Sequence, residues 1–211
     1  MAEQIVFYTN PMSRGRTVRW MLEELRASLS FDYETVVLDY GPAMKAPEYL
    51  AINPMGKVPA ITHRGRVVTE GAAICCYLAD NFPDSGLAPT DDERAAYYRW
   101  LFFAAGPLEQ AIVNRSVFGE QEPADQSMML GYGSYQQAID ALDGWLGKHD
   151  YICGPRFTAA DVYLGMNLNF QIQFDNIPAT AALKGYADRV AARPAYQAAA
   201  QIDEALMPAD G

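Results

Sequence analysis

The fold is decided by the stretch Asn53-Pro-Met-Gly-Lys-Val-Pro-Ala-Ile-Thr-His-Arg-Gly-Arg-Val-Val-Thr-Glu-Gly71. Its first part contains two prolines and a glycine, which exclude a helix interior. Two short apolar runs follow, residues 58–62 and 67–69, and Gly65 between them indicates a hairpin turn. A helix is predicted to begin at Glu70, where unpaired N–H groups and the positive end of the helix dipole suit a carboxylate.

Pro59 lies at the start of the first strand of this hairpin. A proline has no N–H to donate, so it cannot sit in a central position of a sheet ladder. If the Val58–Pro59 bond is cis, Val58 presents its backbone outward, where a peptide-like ligand could pair with it. The stretch therefore combines one strand-like edge with one anion site, about a dipeptide apart.

The composition is that of an ordinary globular protein of 211 residues, which allows one or two domains. The net charge of −10 argues against nucleic acid or an anionic membrane as the main partner. We predict no transmembrane helix, because no apolar run approaches 18 residues, and no signal peptide. Three cysteines do not make a disulfide framework, which favours the cytoplasm, and two separated histidines predict no metal site.

The remaining sequence predicts a small α/β region followed by helices only. The first region reads β-α-β-(short α)-β-β-α and ends near Asn81, with its first helix identified by apolar residues at i, i+3, i+4 and i+7. A segment rich in proline and glycine follows. The predicted later helices cover residues 91–118 (bent at Gly106-Pro107), 126–148, 158–174, 179–192 and 195–206.

Three motifs in this order give the chain a resemblance to the cytosolic glutathione transferases, of a bacterial type whose class stays open. They are Asn53-Pro-Met-Gly-Lys-Val-Pro59, Glu70-Gly-Ala-Ala-Ile-Cys-Cys-Tyr-Leu78 and the capping-box-like Phe157-Thr-Ala-Ala-Asp161. The resemblance implies a thioredoxin-like α/β domain over residues 1–82, a linker over 83–90 and an all-helical domain over 91–211. It also implies a cytoplasmic homodimer.

The resemblance also implies a site for glutathione as co-substrate. Pro59 would be the family's cis-proline, and the Val58 N–H and C=O would pair with the cysteinyl part of the ligand. Glu70 would meet the ammonium group, and the Gly71 N–H the γ-glutamyl carboxylate. The family usually has Ser or Thr where this chain has Gly71, so we expect binding weaker by about one hydrogen bond, roughly 0.5–1.5 kcal/mol.

The residue that meets the glutathione sulfur is expected in the loop after the first strand, where the family places Tyr, Ser or Cys. Ser13 has suitable chemistry and lies where the helix N-cap is expected. A gapless comparison puts the serine of serine-type relatives one residue before Ser13, and the cysteine of the bacterial type at Arg14. Tyr8 and Asn10 are also candidates for this role. Lys57 and Arg14 are candidates for the glycine carboxylate because of their charge.

The implied function is attack of a glutathione thiolate on a hydrophobic electrophile. Within the same class, the thiolate could instead reduce a peroxide or a disulfide. From another class, the chain could bind glutathione or a partner protein without turnover. No sequence feature identifies the second substrate.

Overall fold

The computed structural model of the protein describes residues 4–119 and 127–208. These residues divide into two compact units, one within Met1–Ala88 plus Ala192–Gly211 and the other within Pro89–Ala191. Among the described residues, no helix is long and apolar enough to cross a membrane. The first residue of the helix predicted over 126–148 lies outside the described residues.

The first unit contains a four-stranded mixed sheet. Its strands are β1 Ile5–Thr9, β2 Tyr33–Val37, β3 Ala60–His63 and β4 Arg66–Thr69. They lie in the order β2-β1-β3-β4, with β1 parallel to β2 and antiparallel to β3, and β3 antiparallel to β4. The β3–β4 turn has positive φ at both central residues, 52° at Arg64 and 73° at Gly65, as a two-residue type I′ hairpin requires.

The helices of the structure are α1 Gly15–Ser28, α2 Pro42–Lys45, α3 Pro47–Leu50, α4 Gly71–Asn81, α5 Arg94–Phe103, α6 Glu109–Phe118, α7 Tyr135–Leu146, α8 Ala159–Gln173, α9 Ala181–Ala191 and α10 Pro194–Ala205. The predicted bend between α5 and α6 is a π-helical segment, Ala104–Leu108, that contains Pro107. The short helix α2 was not predicted, because the sequence around Gly41 and Pro42 resembles an irregular loop.

Helix α1 packs through the face that its periodicity predicted. Val18, Met21, Leu22 and Leu25 are all fully buried. A residue that the apolar pattern ignores, Arg19, is buried on the same helix and is 1% exposed. It can be buried because charged and polar partners from β2 and from the end of the chain surround its guanidinium group.

The last helix, α10, belongs to the first unit, which corrects the expectation that residues 91–211 form one helical domain. Trp20 packs edge-on against Tyr196, with 4.9 Å between ring centroids. Glu24 accepts two hydrogen bonds from Arg193, at 2.6 and 2.7 Å. These contacts join α10 to α1, and no feature of the local sequence encodes them.

The second unit contains helices α5 to α9. Asp161 is fully buried at the start of α8 and accepts hydrogen bonds from the Thr158 N–H, the Ile152 N–H and the Tyr186 hydroxyl. The bond from Thr158 is one arm of the predicted capping box. Burial raises the pKa of Asp161 to about 6, although these hydrogen bonds lower it. The predicted structural role of this residue agrees with its contacts.

The helix predicted over 126–148 is shorter in the structure and begins at Tyr135. Ser134 is its N-cap, because the Ser134 side chain accepts from the Gln137 N–H while the Gln137 side chain accepts from the Ser134 N–H. Gly133, with φ of 71°, precedes the cap. The predicted helix started too early because Met128 and Tyr132 continue the helical spacing of apolar residues into the segment before Tyr135.

Candidate functional site

Three segments that the sequence singled out meet at one edge of the sheet. Tyr8 near the end of β1 is paired with Ala60 at the start of β3, and Ala60 is paired with Thr69 at the end of β4. Neighbouring strands lie about 4.8 Å apart, so the ends of β1 and β4 are separated by roughly 10 Å. The loop 10–14, the loop 53–59 and the start of α4 therefore lie side by side.

The loop 53–59 is held by side chains from within and beneath it. The Asn53 side chain is buried; its Oδ1 accepts from the Met55 N–H at 3.1 Å and its Nδ2 donates to the Lys57 C=O at 2.8 Å. The Tyr49 hydroxyl from α3 donates to the same carbonyl at 2.6 Å. Gly56 has φ of 58°, and a Cβ there would lie 2.5 Å from the Met44 carbonyl oxygen.

Val58 follows this loop and lies just before β3. The Val58–Pro59 bond is cis. Within the described part of the chain, neither the N–H nor the C=O of Val58 takes part in a hydrogen bond. Val58 is half-buried, whereas the neighbouring Lys57 is exposed. The edge thus presents one backbone donor and one backbone acceptor that a peptide-like ligand can use.

Helix α4 begins at Gly71, and Glu70 is its N-cap residue. Glu70 has φ of 67° and ψ of 119°, a backbone conformation that non-glycine residues rarely adopt, and its side chain makes no capping hydrogen bond. The first amide satisfied by the helix is that of Ile74, which donates to the Glu70 C=O at 2.9 Å. Among the described residues, the amides of residues 71–73 have no acceptor, so the helix start can bind an anion.

The loop 10–14 is organised around the Asn10 backbone and side chain. The Asn10 Nδ2 donates to the Leu38 C=O at 2.9 Å, and its Oδ1 accepts from the Met12 N–H at 3.0 Å. The Ser13 hydroxyl donates to the Asn10 C=O at 2.7 Å and accepts from the Gly15 N–H at 2.9 Å. Both candidate groups therefore already have partners within the loop.

One of the predicted positions differs from the expectation. Arg14, not Ser13, is the N-cap residue of α1, and it makes no side-chain capping bond. The Ser13 hydroxyl satisfies the Gly15 amide instead, so it still serves the helix start. Tyr8 places its ring against Tyr49, with 5.7 Å between ring centroids, whereas the preceding residue faces Arg19 of α1. Because alternate residues of a strand face opposite sides, Tyr8 lies on the α3 side of the sheet.

Sequence reasoning missed the residues that hold the site in place. Asn53 carried a usable signal, since an Asn before a proline in a turn commonly bonds to the backbone two residues on. Tyr49 carried none, because a tyrosine in a predicted helical turn has many ordinary roles.

Comparison with known proteins places the chain in a family. The profile of the glutathione S-transferase N-terminal domain matches residues 12–81, a span that contains Ser13, Val58 and Glu70. The chain is also 31% identical over 154 residues to glutathione S-transferase GstA of Escherichia coli O157:H7, covering 71% of this chain and 75% of that protein. The chain belongs to the glutathione S-transferase family.

Other members of the family agree with this assignment. Glutathione S-transferase GST-4.5 of Xanthomonas campestris is 29% identical over 181 residues, covering 81% of this chain and 87% of that protein. Maleylacetoacetate isomerase of Pseudomonas aeruginosa is 28% identical, covering 84% of this chain and 88% of that protein. The relatives therefore include proteins named for different reactions.

Solved structures of the family share the fold. A glutathione transferase from Methylococcus capsulatus matches with a TM-score of 0.75 at 27% identity, covering 95% of this chain and 99% of that one. A sphingomonad glutathione S-transferase complexed with glutathione matches with a TM-score of 0.74 at 29% identity, covering 94% and 98%. The predicted fold class, a thioredoxin-like sheet followed by helices, is confirmed.

Proposed function

We propose that this glutathione S-transferase family member binds glutathione at the sheet edge and activates its thiol. The Val58 N–H and C=O pair with the cysteinyl part of the ligand. Glu70 meets its ammonium group, and the Gly71 N–H meets its γ-glutamyl carboxylate. Lys57 and Arg14 serve the glycine carboxylate. The observation that carries this proposal is the set of unpartnered backbone groups at Val58 and at the start of α4, within the described residues.

Activation requires a donor that stabilises the thiolate, because a free thiol has a pKa near ~8.5. We assign this role to Ser13. Its hydroxyl now donates to the Asn10 C=O, but that carbonyl also accepts from the Ser13 N–H at 3.0 Å. The hydroxyl can therefore rotate toward sulfur without leaving the carbonyl unsatisfied. A bond to a charged group contributes about 1.5–3 kcal/mol against about 0.5–1.5 kcal/mol for a neutral one, so the exchange is favourable.

The reaction is attack of the thiolate on an electrophilic carbon of a hydrophobic second substrate. A C–S bond forms, the leaving group departs with its electron pair, and the thiol proton goes to solvent. Binding both reactants in one orientation contributes much of the acceleration. Reduction of a peroxide or a disulfide by the same thiolate is a variant of this proposal. A cytoplasmic homodimer is the form in which we expect the enzyme to act.

A second candidate, glutathione binding without turnover, is favoured by one specific observation. The Ser13 hydroxyl and the Asn10 side chain are both engaged within their own loop. If the Ser13 hydroxyl does not rotate, the bound thiol keeps its ordinary pKa and reacts slowly. Turnover against aryl halides, peroxides and mixed disulfides distinguishes the two candidates, since the binding-only protein shows none.

Glutathione binding is tested by removing the charge of Glu70. We expect the wild type to be retained on immobilised glutathione. Glu70→Gln should raise the Kd for reduced glutathione by about 10- to 100-fold, because one charge-assisted bond of about 1.5–3 kcal/mol is lost. The matched control is Asp80→Asn, an exposed acid on the same helix, which should bind like the wild type. An unchanged Kd in Glu70→Gln would contradict the assigned site.

The catalytic role is tested by Ser13→Ala, measured as turnover of a chlorinated aromatic acceptor at saturating glutathione. We expect a loss of tenfold or more, with a raised apparent pKa for the bound thiol in the pH–rate profile. A wild-type rate with an unshifted profile would exclude Ser13 and transfer the role to Asn10, Tyr8 or Arg14.

A further inference from the structure

The carbonyl group of Lys57 has two side-chain donors. The Tyr49 hydroxyl lies 2.6 Å from its oxygen and the Asn53 Nδ2 lies 2.8 Å from it. Both donor side chains belong to residues that are only 4% exposed. A backbone carbonyl in a surface loop is usually satisfied by water, so two buried donors on one carbonyl are more than the loop needs for solvation alone.

The Lys57 carbonyl shares its peptide group with the Val58 N–H. The cis bond of this loop is Val58–Pro59, and the Lys57–Val58 peptide bond before it is trans. In a planar trans peptide the C=O and the N–H point in opposite directions. Two donors that hold the carbonyl toward α3 and Asn53 therefore hold the Val58 N–H away from them, with no partner of its own in the described chain.

We propose that Tyr49 and Asn53 are positioning residues that aim the Val58 N–H at the bound glutathione. This inference rests on the proposed function, since it assigns a purpose to residues that do not touch the ligand. The two side chains together fix the rotation of one peptide plane, and so fix the direction of the donor that meets the ligand backbone.

The environment of Tyr49 keeps this arrangement rigid. Its ring packs against Tyr8 of β1, and Asn53 is held in turn by the Met55 N–H. Lys45 adds bonds to the carbonyls of Met55 and Gly56, at 3.0 and 3.1 Å. Burial raises the pKa of Tyr49 to about 12, so its hydroxyl remains a donor throughout the pH range in which the enzyme would work.

The expected consequence is a change in binding without a change in chemistry. The Val58 N–H would contact the ligand equally in the ground state and in the transition state. Loss of such uniform binding raises KM and leaves kcat unchanged. A role limited to holding the loop together would instead lower the melting temperature or the amount of folded protein.

The test compares Tyr49→Phe, Asn53→Ala and the double variant with the wild type. We expect the Kd and KM for reduced glutathione to rise about threefold in each single variant and tenfold or more in the double variant. The kcat and the KM for the aryl halide should not change. Tyr40→Phe is the matched control, because Tyr40 is exposed and lies outside the loop 53–59.

The outcomes separate a failure of the positioning role from a failure of the proposed glutathione-binding function. If the wild type binds glutathione and neither Tyr49→Phe nor the double variant weakens binding, the positioning role is wrong and the proposed function stands. If the wild type does not bind glutathione, the proposed function fails and this inference fails with it. Tyr49→Phe keeps the ring packing, so it gives a clear answer even if Asn53→Ala does not fold. A fall in kcat with unchanged KM would also overturn the inference.

Discussion

Asp203→Asn is the most informative perturbation of the first unit, because it removes one charge from a buried ion pair. Asp203 is 1% exposed, and its Oδ1 accepts from the Arg19 Nε at 3.2 Å. Burial raises the pKa of Asp203, although the neighbouring Arg19 lowers it. Without this carboxylate, the guanidinium group retains the neutral partners, the Tyr33 hydroxyl at 2.9 Å and the Thr35 hydroxyl at 2.8 Å.

The magnitude follows from the cost of a buried charge without its partner. Removing one member of a buried pair costs about 3–5 kcal/mol. Asn keeps the shape and one acceptor, so we expect the lower end, about 3 kcal/mol. In a chain of this length, 1 kcal/mol shifts the melting temperature by roughly 2–4 °C, which gives a loss of roughly 6–12 °C.

The assay is thermal unfolding followed by circular dichroism at neutral pH. The matched control is Glu204→Gln, an exposed acid next in sequence on α10, which should shift the melting temperature very little. A shift below about 2 °C in Asp203→Asn would refute the reasoning, because it would mean that the hydroxyl partners alone support the buried guanidinium.

A double replacement extends the same test. Within the described chain, the Arg19 Nη2 and the Asp203 Oδ2 have no hydrogen-bond partner, so this pair is incompletely satisfied. Replacing such a pair with apolar residues of similar volume is often neutral or stabilising. Arg19→Met combined with Asp203→Leu should therefore recover most of the stability lost in Asp203→Asn.

One further prediction concerns a salt bridge of the second unit, and another concerns a glycine of the first unit. The hydrogen bond from Arg156 lowers the pKa of Glu93, so this acid stabilises the second unit above its unfolded pKa of about 4.3, and the contribution is lost as pH falls through the lower folded value. Glu93→Gln should therefore lower the melting temperature at pH 7 and converge with the wild type in strong acid. Gly15→Ala should destabilise the first unit, because a Cβ there would lie 2.0 Å from the Thr9 Oγ1. Gly185→Ala in α9 meets nothing within 4 Å and should stabilise by about 0.5–1 kcal/mol.

The melting experiments on Glu93→Gln and Gly15→Ala each have a result that would contradict them. Asp92→Asn, next to Glu93 in sequence and exposed, should leave the pH dependence of melting unchanged. A melting curve of Glu93→Gln that parallels the wild type at every pH would contradict the assigned pair. An increase in melting temperature for Gly15→Ala would show that the Thr9 side chain moves aside freely.

The sequence predicted those elements of the fold whose determining interactions are local. The hairpin at Arg64-Gly65, the helix starting after Glu70 and the Thr158–Asp161 cap each depend on residues within a few positions of one another. Backbone rules for turns and caps therefore predict them. The sequence also predicted the succession of strands and helices in the first region, whereas the order of the strands within the sheet comes from the structure.

The sequence was insufficient where the partners are far apart. Arg19 and Asp203 are separated by 184 positions, and hydrophobic periodicity cannot detect a buried charge that is satisfied at such a distance. The placement of α10 was therefore missed. The state of the Ser13 hydroxyl depends on the rotamer of one side chain in a turn, which a register comparison over a loop cannot specify.

The contacts between α10 and α1 affect the order in which the protein folds during its synthesis. Residues 4–88 leave the ribosome before α10, and Arg19 cannot meet the Asp203 carboxylate until residue 203 has been synthesised. At about 5–20 residues per second, synthesis from residue 88 to residue 203 takes roughly 6–23 s. In the folded protein the guanidinium carbon lies 4.9 Å from the centroid of the Phe7 ring, and the carboxylate that pairs with it there comes from α10. The sheet of the first unit is thus synthesised before α10 and reaches its final packing only after α10 has been made.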